Sequence, residues 1–312
     1  MILKKIFNSA LLLWVLLTAV FFLIRFAPGG PFDTDRVLAP ELRQAIHAHY
    51  GLNAPVWHQY LRWLQSGVRG DFGNSFQYPD QPVSELIGHA LPISAGLGWS
   101  ALLLATSVAL PLGIFSASQA GRSKWIEPWV RIWVLSSVSV PGFLVASLLI
   151  WIFAIQLEWL PPGLWDDFFS GPEYWVLPAV TLSLRPLALL TRLLRSSLSE
   201  ALAHDSIRTA RAKGVSERSI LWKHALRNAW VPVIGLMPPI AAHLLTGSFL
   251  VETVFQIPGL GRVFVSSVLN RDYPLVMATT LTFGVILLCL SLLSDLLLLW
   301  ADPRIRKSSR RL

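Results

Sequence analysis

Charged side chains are scarce in this chain of 312 residues: they make up 14% of it, against 54% hydrophobic residues and a mean hydropathy of +0.55. So little polar surface cannot cover a soluble globule, and a polytopic membrane protein is implied instead. Cysteine is nearly absent. The single one, Cys289, lies inside an apolar run and has no partner for an internal disulfide. Catalytic signatures are missing too. There is no Gly-x-x-x-x-Gly-Lys-Ser/Thr phosphate loop, no His-Glu-x-x-His, no Gly-x-Ser-x-Gly and no Cys-x-x-Cys. No catalytic residue is assigned, an intramembrane hydrolase is unsupported, and energy from a nucleotide has to come from another chain. His47, His49 and His58 lack a Cys or paired carboxylates at ligand spacing, so they read as surface histidines and no metal site is assigned.

What the chain does have is long apolar runs and an excess of positive charge. The formal net charge of +8 sits beside apolar runs, as do most of the fourteen tryptophans, which is the placement of membrane orientation and interfacial anchoring and not of a nucleic-acid groove. Six runs are long enough for a bilayer core about 30 Å thick, at 6–24, 93–117, 129–157, 175–194, 230–254 and 275–300. The first follows Lys4 and Lys5 and is not followed by a small-x-small cleavage site, so it reads as a retained helix. The connecting segments alternate in charge. Residues 121–128 carry Arg122 and Lys124 against Glu127; 158–173 carry four acidic residues and no basic one; 195–228 carry seven basic residues against Glu200, Asp205 and Glu217; and the tail adds Arg304, Arg306, Lys307, Arg310 and Arg311. An all-α protein with six transmembrane helices and both termini in the cytoplasm follows. The predicted segmentation is a first helix over 1–26, a Pro- and Gly-broken extracytoplasmic segment over 27–92, a five-helix core over 93–300 with a cytoplasmic loop at 195–228, and a basic tail over 301–312.

The loop is the part best suited to touch a soluble partner. Asp205 is placed to cap a short helix over Ser206 to Lys213, and Gly214 stands where a left-handed C-terminal residue is wanted. Ser216 is placed to cap a second helix running to Ala229. A helix of about eight residues is too short to persist alone in water, so something has to pack on it. A basic loop that only orients the protein is the competing reading. Inside the membrane, Arg185, Arg192, His243, Glu252 and Asp295 ask for partners, a cavity or an interface. A pair between Arg185 and Asp295 would be structural. The fifth run is interrupted by Pro232, Gly235, Pro238, Pro239 and Gly247, the kind of backbone that lines a pathway or simply kinks a packing helix. The pathway candidates are Pro238, Pro239, His243, Glu252 and Asp295.

Six blocks in order carry a family resemblance. Arg25-Phe26-Ala27-Pro28-Gly29-Gly30-Pro31, Tyr50-Gly51-Leu52-Asn53 with Pro55, and Gly70-Asp71-Phe72-Gly73 with Ser75 come first. Thr209-Ala210-Arg211-Ala212-Lys213-Gly214 follows, with His224-Ala225-Leu226-Arg227-Asn228-Ala229 and Pro232. Glu252-Thr253-Val254-Phe255 with Ile257-Pro258-Gly259-Leu260-Gly261 and Asn270-Arg271-Asp272-Tyr273, then Asp302-Pro303-Arg304-Ile305, close the set, and Leu160-Pro161-Pro162-Gly163 belongs with them. Together they resemble the ABC importer permeases of the dipeptide and oligopeptide type. The general importer pattern is Glu-Ala-Ala with Gly four positions after the second Ala. Here Arg208, Thr209 and Ala210 fill that triplet, a departure shared by the peptide-type branch.

The resemblance implies the type I permease architecture in a bacterial inner membrane. It implies a coupling helix made of Asp205, Ser206, Arg208, Thr209, Ala210, Arg211, Ala212, Lys213 and Gly214, docked on an ATP-binding subunit. The implied partners are a second homologous permease, two ATP-binding subunits holding ATP and Mg, an extracytoplasmic peptide-binding protein and the lipid bilayer; no cofactor on this chain and no nucleic acid are expected. Two other classes stay open at this point: an ion-coupled secondary transporter using Glu252, His243 or Asp295 as proton sites, and a membrane scaffold.

Overall fold

The computed structural model describes residues 2–27, 29–32, 40–118, 140–163 and 171–301, with residues 128, 132, 133, 137 and 139. The chain runs through helices α1 (Ile2–Phe26), α2 (Pro40–His49), α3 (Val56–Val68), α4 (Val83–Ser118) and α5 (Gly142–Leu149), the last continued by a π-helical stretch, Ile150–Gln156. Then come α6 (Glu173–Ala203), α7 (Asp205–Ala212), α8 (Glu217–Ser219), a second π-helical stretch at Ile220–Ala225, α9 (Leu226–Leu245), α10 (Phe249–Val254), α11 (Leu260–Leu269) and α12 (Tyr273–Ala301). The architecture is all-α, as the composition requires.

Among the described residues, five helical segments are long and apolar enough to cross a membrane: Lys4–Phe26, Val83–Ser118, Glu173–Ala203, Glu217–Val254 and Tyr273–Leu299. The sixth expected span, 129–157, falls partly outside the described residues. Its described part is the shorter apolar helix Gly142–Gln156. The loop at 121–127 and the basic tail from Asp302 also lie outside the described residues.

Contacts divide the chain into two compact units, one of Ile93–Ile257 with Ile286–Leu312 and one of Ile2–Pro92 with Pro258–Val285. In the first unit, small residues set how closely helices approach. Gly98, Ala101, Ala105, Ala109 and Gly113 recur every three or four residues along α4, so they form one stripe. The three alanines are fully buried. Ala101 packs with Ala241, Leu244 and Leu245 of α9, and Ala105 and Ala109 pack in a cluster with Leu187, Leu190 and Leu194 of α6. At Gly98 the approach is backbone to backbone, because a Cβ there would stand 2.5 Å from the Leu244 carbonyl oxygen. The exposed surface of this unit is rich in large apolar side chains, among them Leu103, Phe115, Leu148 and Trp151.

The expected interruption of the fifth span is smaller than its prolines suggest. Pro232, Pro238 and Pro239 all lie inside a continuous helix, α9, and the chain breaks only after Leu245, where Gly247 takes φ +83° before α10 begins. The continuous helix is reached through the π-helical stretch Ile220–Ala225, whose wider turn accommodates displaced backbone hydrogen bonds. The second loop helix does not stop at Ala229; it feeds straight into the membrane span.

The second unit is pinned by Asp272. Its carboxylate is fully buried, takes the Ser75 hydroxyl and the Gln77 N–H (3.2 Å) on Oδ2, and takes the Leu275 N–H on Oδ1 at 3.2 Å. The last bond caps α12. Nearby, Arg271 Nη1 donates to the Gly30 carbonyl at 3.3 Å. Three of the blocks read in the sequence, around Gly30, Ser75 and Asp272, therefore meet in one unit.

The Gly98 contact makes a prediction that separates packing from helix propensity. Gly98→Ala is expected to lower the unfolding midpoint of the purified full chain, by about 1–3 kcal/mol of overpacking, because the Leu244 carbonyl cannot move aside. Gly88→Ala, on the same helix where an added Cβ meets nothing within 4 Å, is expected to leave the midpoint unchanged or raise it.

Candidate functional site

The segment α7 is defined by its two ends. At the start the extended residue is His204 (φ −66°, ψ 146°), and its Nδ1 accepts the Ser206 N–H at 3.3 Å. The cap is therefore His204 and not Asp205. Asp205 is already helical and contributes its negative charge to the first turn, where the helix dipole favours it. At the end, Gly214 adopts φ +75°, its N–H reaches the Arg211 carbonyl at 3.0 Å, and the Val215 N–H reaches the Ala210 carbonyl at 3.2 Å. That pair of bonds is a Schellman motif, and it needs the left-handed conformation that glycine adopts most easily.

The helix persists without a partner on it because it packs on its own chain. Ile207 is 3% exposed and joins a cluster with Leu198 of α6 and Ile220 and Ala225 of the π-helical stretch, while Ala210 and Val215 pack against the same cluster. Asp205, Ser206, Arg208, Thr209, Arg211, Ala212, Lys213 and Gly214 stay exposed. The result is a short helix glued down by one face, presenting a cationic and hydroxylic face outward. Ile207 was missed in the sequence, where its signal was being the one large apolar side chain of α7.

The cations of this face differ. Arg211 grips Glu217 through two parallel bonds, Nε to Oε1 at 2.7 Å and Nη2 to Oε2 at 3.2 Å. The hydrogen bond that Arg211 donates to Glu217, and then the Glu217 charge, raises the Arg211 pKa above its ordinary value. Arg208 stands 3.7 Å from Asp205 in a looser pair. The Arg211–Glu217 fork spans the turn between α7 and α8, and beneath it lies a cleft of about 540 Å³ lined by Ala117 and Ser118 of α4, Ser199 and Leu202 of α6, and Leu221. Ser216 occupies the cap position of α8 but makes no side-chain cap bond.

The membrane-embedded candidates do not form one site. Glu252 is fully buried in α10, and its Oε1 accepts the Ser94 hydroxyl of α4 at 2.7 Å. Pro238 is buried and Pro239 exposed on α9, His243 is exposed on α9, and Asp295 is half-buried on α12. Among the described residues no group of three or more His, Cys, Asp or Glu side chains is placed to hold a metal ion, so Glu252, His243 and Asp295 do not form such a cluster. Arg185 lies on an exposed position of α6, and among the described residues no ion pair joins it to Asp295. Ser94 was missed in the sequence, where a serine in an apolar run carries no signal of its own.

Comparison with known proteins agrees with the architecture. The family described as binding-protein-dependent transport system inner membrane component matches residues 109–307. The chain is 39% identical over 305 residues to the oligopeptide transport system permease protein OppB of Salmonella typhimurium and 40% identical over 305 residues to OppB of Escherichia coli K12, covering 98% of each chain in both cases. It is 38% identical over 303 residues to the dipeptide transport system permease protein DppB of Bacillus subtilis, covering 97% of this chain and 96% of that one.

The way α7 is anchored has a measurable consequence. Ile207→Ala is expected to raise amide exchange across Asp205–Ala212 by about 30-fold or more, the equivalent of roughly 2 kcal/mol for an emptied apolar site. Arg211→Ala removes only an exposed fork and is expected to raise it far less. Equal effects would show that the fork, and not the core contact, holds the helix.

Proposed function

The chain belongs to the family of inner membrane components of binding-protein-dependent transport systems, and from that membership we propose that it is the membrane-spanning permease subunit of an ATP-driven peptide importer. It is a multi-pass protein of the inner membrane. The observation that carries the peptide reading is the identity of about 40% to oligopeptide permeases over 98% of both chains. The ion-coupled alternative is not supported, since the family is one of binding-protein-dependent transport systems and the relatives are named as permeases of peptide transport systems.

In this reading the chain forms half of a translocation pathway, beside a second homologous permease. ATP and Mg are bound by two ATP-binding subunits, an extracytoplasmic binding protein delivers the peptide, and this chain performs no catalysis. Both termini and the loop 195–228 lie in the cytoplasm, and residues 27–92 form an extracytoplasmic segment ahead of the core at 93–300.

The step this chain contributes is mechanical. A partner that binds the outward face of α7 differently in two states biases the equilibrium between inward- and outward-facing arrangements, and the effect is limited to that difference in affinity. Arg208, Lys213, Ser206 and Thr209 are the exposed groups available to it. Arg211 is held by Glu217 and serves to keep the turn in shape. Displacement of α7 passes into the core through Ile207 and into α9 through the π-helical stretch, because these are the elements it packs on. Within the membrane, Pro238, Pro239, His243, Glu252 and Asp295 are the residues proposed to line or shape the pathway. For Glu252, full burial and the bond from Ser94 favour shaping over direct contact.

Uptake of labelled di-, tri- and pentapeptides by cells with and without this chain, with ATP and the proton gradient depleted separately, tests the function. Loss that follows ATP alone and spares the shortest peptides is expected; sensitivity to the gradient alone would sink the importer reading. Reversing Arg208 and Lys213 to Glu is expected to leave the complex assembled and its ATP hydrolysis running while uptake falls severalfold. Normal uptake by that variant would remove α7 as the coupling element.

A further inference from the structure

A second cleft, of about 300 Å³, lies where α1 ends, entirely within the unit of residues 2–92 and 258–285. Among the described residues its charged lining is Arg25, Arg62 and Asp71, two cations against one anion. Asp71 is partly committed, since its Oδ1 accepts the Gly73 N–H at 3.0 Å.

Both cations are held by their neighbours. Arg25, in the last turn of α1, lies with its guanidinium carbon 3.4 Å from the centre of the Phe21 ring and 5.1 Å from that of Tyr273. Its Nε donates to Gln59 Oε1 at 3.2 Å and its Nη1 to the Phe21 carbonyl at 3.2 Å; Nη2 takes part in neither bond. Among the described residues no ion pair joins Arg25 to a carboxylate. The Arg62 guanidinium is laid across Gly51, where a Cβ would stand 2.6 Å from Nη1. Trp63, also in the lining, has its indole N–H buried with no hydrogen-bond partner among the described residues.

The surroundings are apolar and outward-facing. Leu23 and Phe26 of α1 are 68% and 81% exposed, and α3 presents Trp57, Leu61 and Val68. Since α1 is long and apolar enough to cross the membrane, its last turn stands at the edge of the hydrocarbon, where amphipathic Trp and Tyr rings collect. A ligand here needs an anionic head for the guanidinium groups and an apolar body to lie on α1 and α3. A free anion or a peptide carboxylate meets only the first need.

We propose that this cleft binds the phosphodiester headgroup of an anionic glycerophospholipid, with its acyl chains along the apolar side chains of α1. A phosphodiester carries one negative charge, which matches the excess of two cations over one anion in the described lining. Its oxygens can accept from both guanidinium groups and from the Trp63 N–H. The bound lipid would complete the electrostatics of a buried cation that no carboxylate among the described residues pairs with. The proposal is independent of what the chain transports.

The test uses the full chain purified with whatever subunits assemble on it. Retained lipid is counted by native mass spectrometry after equilibration with phosphatidylglycerol and phosphatidylethanolamine at equal mole fraction, with inorganic phosphate as the competing free anion. Phosphatidylglycerol is expected to be retained preferentially, with each of Arg25→Gln and Arg62→Gln lowering retention by about five-fold. Inorganic phosphate is expected not to displace it. Trp63→Phe removes the donor while keeping an aromatic side chain, so it is expected to lower retention less than the arginine variants, and it stands in if the Arg25 variant fails to assemble. Equal retention of phosphatidylglycerol by the wild type and these variants, or its displacement by inorganic phosphate, would overturn the lipid assignment. Uptake is not the readout, so failure here leaves the importer reading untouched.

Discussion

A bilayer supplies no water, and every polar group carried into it has to be satisfied by the chain itself. This constraint organises the molecule. The hydroxyls of Thr181, Thr191, Thr279, Thr280 and Thr282 each return to the carbonyl four residues earlier, so they are spent on their own helices. Glu252, whose charge is too expensive to leave alone in apolar surroundings, is met by Ser94. Asp272 satisfies the start of α12 and at the same time holds Ser75 and Gln77. In each unit a buried carboxylate therefore ties together segments far apart in sequence.

With polar groups satisfied, helix approach is set by size. In lipid, apolar association gains little from the hydrophobic effect, and close packing of small residues takes its place. The stripe from Gly98 to Gly113 lets α4 come against α9 at backbone distance and against the Leu194 side chain of α6. Of these, α6 also borders α7, beside the π-helical stretch that leads into α9. A transporter helix that moves as a rigid body needs tight neighbours, because a loose contact would absorb the displacement and not pass it on. The Schellman end of α7, its Ile207 anchor and the Arg211–Glu217 fork serve the same end: they make a short element stiff.

The family blocks gain physical content from this arrangement. The backbone of Gly163 comes so close to the Phe255 carbonyl that a side chain has no room there, which brings the Leu160-Pro161-Pro162-Gly163 block against the one that contains Glu252. Arg271 reaches Gly30, and Ser75 reaches Asp272. Segments that read as separate motifs along the chain are halves of the same contacts.

Membrane residence, helical class and most span positions were legible in the sequence, because they depend on the length and apolarity of local runs, which a bilayer reads additively. The left-handed end at Gly214 was legible for a similar reason: it is a property of one residue's backbone. What only the tertiary structure decided depends on which side chains meet. The cap passed to His204 because the backbone turns one residue earlier than Asp205, and the prolines of α9 left it unbroken up to Gly247. Ile207 became an anchor through packing with α6 and the π-helical stretch, and Ser94 became the partner of Glu252 across 158 positions. No local pattern encodes a contact whose two halves lie that far apart; it exists only once the helices have packed.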